Sequence, residues 1–124
     1  MIHIYQFQDV DNNADCRVSV FADKITNSGF DLTASTWSDT SVYCVEITWI
    51  AFHSGFSTNP QDMGFFSIQT GRQPFKKTHP GYNLLNGKGD RFNKTRVNFS
   101  KKYSESPTVV VTLSQLDVIK YNSL

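Results

Sequence analysis

The chain has 124 residues, which is the length of one ordinary domain and too short for two hydrophobic cores. Its net charge is near +1 and only 19% of its residues are charged, so it lacks the broad charged surface that binding to nucleic acid usually requires. Ten Phe, five Tyr and two Trp, with plentiful Thr, Ser and Val, favour strands over helices.

Stretches with alternating apolar and polar residues recur along the chain. In chain order they cover residues 17–25, 30–35, 41–52, 64–71, 95–103 and 108–118. The segments between them are rich in Gly, Pro, Asn, Asp and Ser, and no stretch has a convincing helical period. The pattern predicts an all-β fold, a small antiparallel β-sandwich of six to seven strands in a single domain over residues 1–124.

The two ends of the chain resemble each other. Residues 1–10, MIHIYQFQDV, and the strand 108–118 are both apolar and rich in β-formers, and both end in Asp-Val. Either they are two similar edge strands, or the chain is a window on a repeat or a circularly permuted unit, in which the first strand returns at the end. Under the second interpretation the two copies compete for equivalent places, and one is expected to add at a sheet edge or to exchange with a neighbour.

Two amphipathic aromatic residues border a polar turn in TWSDTSVY, residues 36–43. Trp37 and Tyr43 each offer a flat apolar face and a polar group, so in such a turn they are not expected to be core residues alone. A sugar has an apolar face that packs on an aromatic ring and hydroxyl groups that need hydrogen-bond partners. The spacing alone favours a structural role, with Trp37 capping one end of the sandwich and Tyr43 hydrogen-bonding at a strand corner.

The run CRVSVFADKITNSGFDLTASTWSDTSVYCVEITWIAF, residues 16–52, resembles the C-terminal half of the H-type lectin domain, the family of snail agglutinins and of the discoidin C-terminal domain. The shared features, in order, are an Arg at a strand start, GF, TW, VY and WIA. The run NGKGDRFNKTRVNFSKKYSESPTVVVTLSQLDV, residues 86–118, resembles the N-terminal half of the same domain. The halves therefore stand in inverted order, with 1–52 as the C-terminal half, 53–85 as a linker and first strand, and 86–124 as the N-terminal half.

The resemblance implies a non-enzymatic lectin that binds galactose or N-acetylgalactosamine at the junction of protomers, usually in a homotrimer, and that acts in adhesion or agglutination. It implies that Arg17 donates to sugar hydroxyls and that Trp37 and Tyr43 form an aromatic wall. Ser38 would add a polar contact, although several snail members have a His at this position.

The resemblance also implies a contribution from a glycine-rich loop of the adjacent protomer. In this chain the loop contains Gly87 and Gly89, which would allow close approach of the sugar, and Asp90, which would accept hydrogen bonds from its hydroxyls. The alignment of this loop leaves either Gly89 or Asp90 at the acidic position, and we favour Asp90.

Other chemistry has little support in the sequence. The three histidines have no partner at ligand spacing and no nucleophile triad is visible, so we expect no metal, no cofactor and no enzyme activity. Cys16 and Cys44 lie in no CxxC motif. The sequence leaves open whether they form a disulfide or are two buried free thiols.

The sequence does not decide the cellular compartment of the protein. The first residues lack the basic start and apolar middle of a signal peptide, and no apolar run reaches the roughly 18 residues of a membrane span, so we expect no membrane insertion. Acceptor sequons at Asn93 and Asn98 are compatible with secretion or the cell surface. A rival hypothesis is a structural or adhesive repeat that keeps the sandwich and has lost sugar binding.

Overall fold

The computed structural model describes residues 2–9, 14–53, 67–85 and 88–118. Seven strands lie in these ranges: β1 (Ile2–Asp9), β2 (Ala14–Asp23), β3 (Gly29–Thr36), β4 (Val42–His53), β5 (Ser67–Lys76), β6 (Arg91–Asn98) and β7 (Thr108–Val118). Within the described ranges no helix is long and apolar enough to cross a membrane.

The strands form two antiparallel sheets. One has four strands in the order β1-β2-β3-β6 and the other has three in the order β5-β4-β7. Buried apolar side chains from both sheets belong to a single core, among them Val20 and Leu32 of the four-stranded sheet and Ile47 and Val111 of the three-stranded sheet. The predicted all-β sandwich is confirmed.

Strand alternation explains which side chains fill the core. On β2 the buried residues are Val18, Val20 and Ala22, whereas the intervening Ser19 and Phe21 face outward. On β4 the positions Val45, Ile47, Trp49 and Ala51 are buried in the same way. The outward positions of β2 are the ones that can contribute to a binding surface.

A cluster of aromatic rings closes one end of the core. The ring of Phe30 meets that of Trp49 edge to face at 5.3 Å between centroids, and Phe99 meets Tyr103 at 5.1 Å. Gly71 of β5 lies against the indole of Trp49, where an added Cβ would approach within 2.6 Å of a ring carbon. The end of the sandwich that carries Trp49 is therefore tightly packed.

Two predicted strands differ most from the observed ones at their ends. The strand predicted at 64–71 starts outside the described residues and continues to Lys76 in the structure, because β5 is an edge strand and tolerates Pro74 in its pairing with β4. The strand predicted at 95–103 instead spans Arg91–Asn98. The chain turns away after it because Phe99 and Tyr103 become buried over the core.

The two similar end segments occupy different places. β1 is an edge strand of the four-stranded sheet and pairs with β2, whereas β7 is an edge strand of the three-stranded sheet and pairs with β4. From the sequence we expected a surplus copy to add at a sheet edge, and both segments are edge strands. Competition between the copies for one place does not arise within this chain, since each has its own sheet.

Candidate functional site

The turn between β3 and β4 is held from beneath by a buried arginine. Arg91, only 7% exposed, donates from Nη2 to the carbonyl oxygens of Ser38 and Thr40 at 3.1 and 2.7 Å. Its Nε donates to the carbonyl oxygen of Gly89 at 3.2 Å. One guanidinium thus joins the turn that follows Trp37 to the loop before β6, in the fixed fork geometry that arginine supplies.

Arg17 holds the same turn from the neighbouring strand. Its Nη1 lies 3.0 Å from the carboxylate of Asp39, and its backbone N–H donates to Thr40 Oγ1 at 3.3 Å. Thr36 Oγ1 donates in return to the carbonyl oxygen of Arg17 at 2.6 Å. The guanidinium that the sequence assigned to sugar binding is therefore placed beside the Trp37 turn by contacts on both sides of it.

Ser38 has a backbone conformation that is unusual for its residue type. Its φ is +60°, in the left-handed region that costs an L-residue about 1–2 kcal/mol. Its carbonyl oxygen accepts a hydrogen bond from the N–H of Gly89 at 3.1 Å as well as the one from Arg91. These contacts hold the strained turn, and they leave the Ser38 side chain exposed.

Trp37 and Asp90 line one end of a groove of about 640 Å³ on the outer face of the four-stranded sheet. The register that pairs Thr36 with Arg91 continues to place Trp37 opposite Asp90. Trp37 is half-buried and Asp90 is exposed. An aromatic face and a carboxylate acceptor therefore border the same concave surface, which is the combination that a sugar requires.

Tyr43 lies at the start of β4, in the other sheet, and does not line this groove. Its ring packs beneath Lys77, whose Nζ is 4.5 Å from the ring centroid, and its carbonyl oxygen accepts from the N–H of Lys77 at 3.0 Å. Next to it, Tyr82 donates its hydroxyl to the carbonyl oxygen of Val42 at 2.6 Å. Burial, more than the neighbouring Cys44 and Asp117, raises the pKa of Tyr82, so this phenol stays a donor at neutral pH.

The structure thus brings five of the seven predicted site residues to one turn and its adjoining loop. They are Arg17, Trp37, Ser38, Gly89 and Asp90. Gly87 lies outside the described residues. The loop that was predicted to come from a neighbouring protomer already reaches Ser38 within one chain.

Sequence reasoning missed Arg91, whose side chain donates to both the turn and the Gly89 loop. The only signal was an Arg placed directly after the Gly-Asp of the loop, and a basic residue at a strand start is ordinarily assigned to solvent. It also missed the groove, because its walls come from three strands that pair only in the folded sheet.

Neither cysteine is in a disulfide. Cys16 lies on β2 and Cys44 on β4, in different sheets, and both are free and partly buried. Desolvation raises the pKa of each thiol, against a smaller opposing effect of Arg17 on Cys16 and of Lys76 on Cys44. In the described part of the chain no three His, Cys, Asp or Glu side chains lie close enough together to hold a metal ion.

Comparison with known proteins gave one match. Residues 2–52, which cover β1–β3 and nearly all of β4, match the family model of the H-type lectin domain. This confirms the family resemblance over the segment that carries Arg17, Trp37, Ser38 and Tyr43. No curated protein matched the chain, and neither did any solved structure.

Proposed function

We propose, from the premise that residues 2–52 are an H-type lectin segment, that this chain is a carbohydrate-binding lectin that recognises galactose or N-acetylgalactosamine. It acts by binding and without catalysis. The observation that carries the proposal is the groove end where the half-buried Trp37 faces Asp90, beside the turn held by Arg17 and Arg91. The inverted order of the two halves belongs to the same proposal.

The proposed roles follow from the chemistry of each group. The apolar face of a pyranose packs on the indole of Trp37, and Asp90 accepts hydrogen bonds from its hydroxyls. Arg17 donates to the sugar and keeps Asp39 in place through their 3.0 Å contact. Ser38 and Gly89 supply a polar side chain and a position without a Cβ at the rim of the site.

Multivalency supplies the strength that one shallow site lacks. A single site of this kind is expected to bind with a dissociation constant on the order of millimolar, about 4 kcal/mol. Assembly into a homotrimer makes later contacts effectively intramolecular and raises avidity by a factor of roughly 10² or more. In such an assembly the Tyr43 of one protomer reaches the site of its neighbour. The resulting activity is agglutination or adhesion at a secreted or cell-surface location.

A glycan array on the intact protein tests the proposal. We expect galactose- or N-acetylgalactosamine-terminated glycans to bind and Trp37→Ala to abolish that binding while the far-UV spectrum stays unchanged. Ile50→Ala is the matched control, since Ile50 is an exposed apolar residue of the other sheet. Sedimentation of the same sample gives the oligomer. Binding that survives in Trp37→Ala would refute the assigned site, and an array without signal would refute sugar binding.

A second candidate is a structural or adhesive repeat that has lost sugar binding. One observation favours it: the ring of Tyr43 is covered by Lys77 and is engaged within its own sheet. This candidate predicts that the protein forms oligomers and that neither the wild type nor Trp37→Ala binds any glycan on the array. It also predicts that Lys77→Ala, which uncovers the ring, produces no galactoside binding.

A further inference from the structure

The groove extends well beyond Trp37 and Asp90 along the outer face of the four-stranded sheet. Its lining includes Ser35 and Thr33 of β3, which lie two and four residues from Trp37 on the same face. Four residues of strand span about 13 Å, which is longer than one pyranose ring is wide. The groove is therefore larger than the site proposed for a single sugar.

The register of the sheet arranges the extension in two rows across the strands. Ser19 and Phe92 flank Ser35 in the first row, and Phe21 and Lys94 flank Thr33 in the second. Each row has a hydroxyl residue of β3 in the middle and a phenylalanine at one side. Phe92 is 58% exposed, which is unusual for a phenylalanine.

Three polar atoms without partners belong to residues of this groove. Within the described part of the chain, Asp23 Oδ1, Thr33 Oγ1 and Arg91 Nη1 are buried and have no hydrogen-bond partner. Thr33 is 3% exposed and Arg91 is 7% exposed. An unpaired buried hydroxyl lowers stability, and Thr33 lies in the middle of the groove, where a hydroxyl of a bound sugar can pair with it once the side chains above it move aside.

We infer that the outer face of the four-stranded sheet is an extended glycan subsite, which takes the second and later sugar units of an oligosaccharide whose terminal unit binds at Trp37. This inference rests on the proposed function. Sugar units pack their apolar faces on Phe92 and Phe21 and bond to the hydroxyls of Ser35 and Thr33. Lys94 pairs with Thr33 in the sheet register and lies 3.9 Å from Asp31, a long contact for an ion pair, so its flexible side chain can turn aside.

The floor and the continuity of the groove favour a glycan over a protein partner. The lining combines the apolar rings of Phe21 and Phe92 with the hydroxyl side chains of Ser35 and Thr33, which matches the apolar faces and hydroxyl rims of sugar units. The groove also runs without a break into the end that holds Trp37 and Asp90. Its volume of about 640 Å³ lies within the roughly 300–1,000 Å³ typical of small-molecule sites.

The test compares one ligand with a longer one on the intact chain. Methyl galactoside and the galactose-terminated tetrasaccharide lacto-N-neotetraose are titrated into wild-type protein and into Thr33→Val and Phe21→Ala. Thr33→Val removes one hydroxyl at nearly constant volume, and Phe21→Ala removes one wall. Ile50→Ala on the other sheet is the matched control. Amide shifts in a ¹⁵N-labelled sample report which strands each ligand contacts.

We expect the tetrasaccharide to bind about tenfold more tightly than the monosaccharide. Both groove variants should lose most of this gain while their monosaccharide affinity stays within about twofold of wild type. Equal affinity for the two ligands, or a gain that both variants retain, overturns the extended subsite and leaves the proposed function standing. Absence of binding to both ligands overturns the subsite, and it overturns the proposed function as well unless the array shows binding to N-acetylgalactosamine.

Discussion

Trp49 and Trp37 mark two regions of this sandwich that are held by different forces. Trp49 is 8% exposed and packs against Phe30 and Phe99 in the aromatic end of the core. Trp37 is half-buried on a turn that is fixed by hydrogen bonds from Arg91 and Arg17 to backbone and side-chain oxygens. Packing stabilises the first region, whereas polar contacts position the second and leave its aromatic face open to a ligand.

The comparison predicts that the core region carries more of the stability than the turn. Trp49→Ala should lower the free energy of unfolding by about 3–5 kcal/mol, because a large buried ring leaves a cavity. Urea denaturation measures this change, and Trp49→Phe should cost less since it keeps part of the packing. A loss below about 1 kcal/mol for Trp49→Ala would contradict the assignment of this end as the packed core.

The turn should depend most on Arg91. Replacement by Met, which keeps the volume and removes the donors, takes one hydrogen bond from each of the carbonyl oxygens of Ser38 and Thr40 and should cost about 2–4 kcal/mol. Sugar binding should fall as well, since Trp37 is no longer positioned. Arg72→Met on the exposed edge of β5 is the matched control and should be close to neutral. If Arg91→Met unfolds at the wild-type urea concentration, the turn is held by something else.

The strained conformation of Ser38 gives a smaller effect. Ser38→Val should destabilise the protein by about 1–2 kcal/mol, because a β-branched residue is disfavoured at a positive φ. Ser38→Asn should be neutral or stabilising, since Asn tolerates the left-handed region. The pair is compared by thermal unfolding, and equal melting temperatures for the two variants would show that the turn relaxes out of this conformation.

The smallest predicted effect is a loss of stability at alkaline pH that comes from the thiols of Cys16 and Cys44. The folded pKa values of Cys16 and Cys44 lie above the usual thiol value, so the folded state binds more protons than the unfolded chain once the pH approaches that value. Their contribution to stability is present below the unfolded pKa of about 8.5 and is lost as the pH rises through the folded one. Urea midpoints measured from pH 7 to 10 should fall, and the slope should be shallower in Cys16→Ser/Cys44→Ser. An identical slope in that variant would exclude the thiols as its source.

Alternating residues along β2, β4 and β7 were enough to predict an antiparallel sandwich, because burial on one face imposes a period of two on any half-buried strand. The ends of strands were harder to predict. Pro74 is ordinarily a strand terminator, and only its place on an edge strand lets β5 run through it. Residues 99–103 were predicted as strand. The chain leaves the sheet there because Phe99 and Tyr103 are buried over the core.

The sequence also indicated part of the candidate site. Trp37 beside a polar turn, with Arg17 at a strand start, indicated the part of the molecule where the groove and the Arg91-held turn lie, because local residue types already express their chemistry. That Arg91 would be buried and would join the turn to the Gly89 loop could not be seen. Its partners are backbone carbonyl oxygens more than 50 positions away in the chain. Because every residue carries such a group, the sequence does not indicate which ones Arg91 contacts.

The sequence by itself determined the all-β class, the alternation that builds the core and the match of residues 2–52 to the H-type lectin model, since these depend on local pattern and on residue type. The tertiary structure alone decided that β1 and β7, so alike in sequence, lie in different sheets, and that small hydroxyl residues form a groove floor between Phe21 and Phe92. Which strands become neighbours is settled by the packing of the whole chain, and only neighbours create a surface.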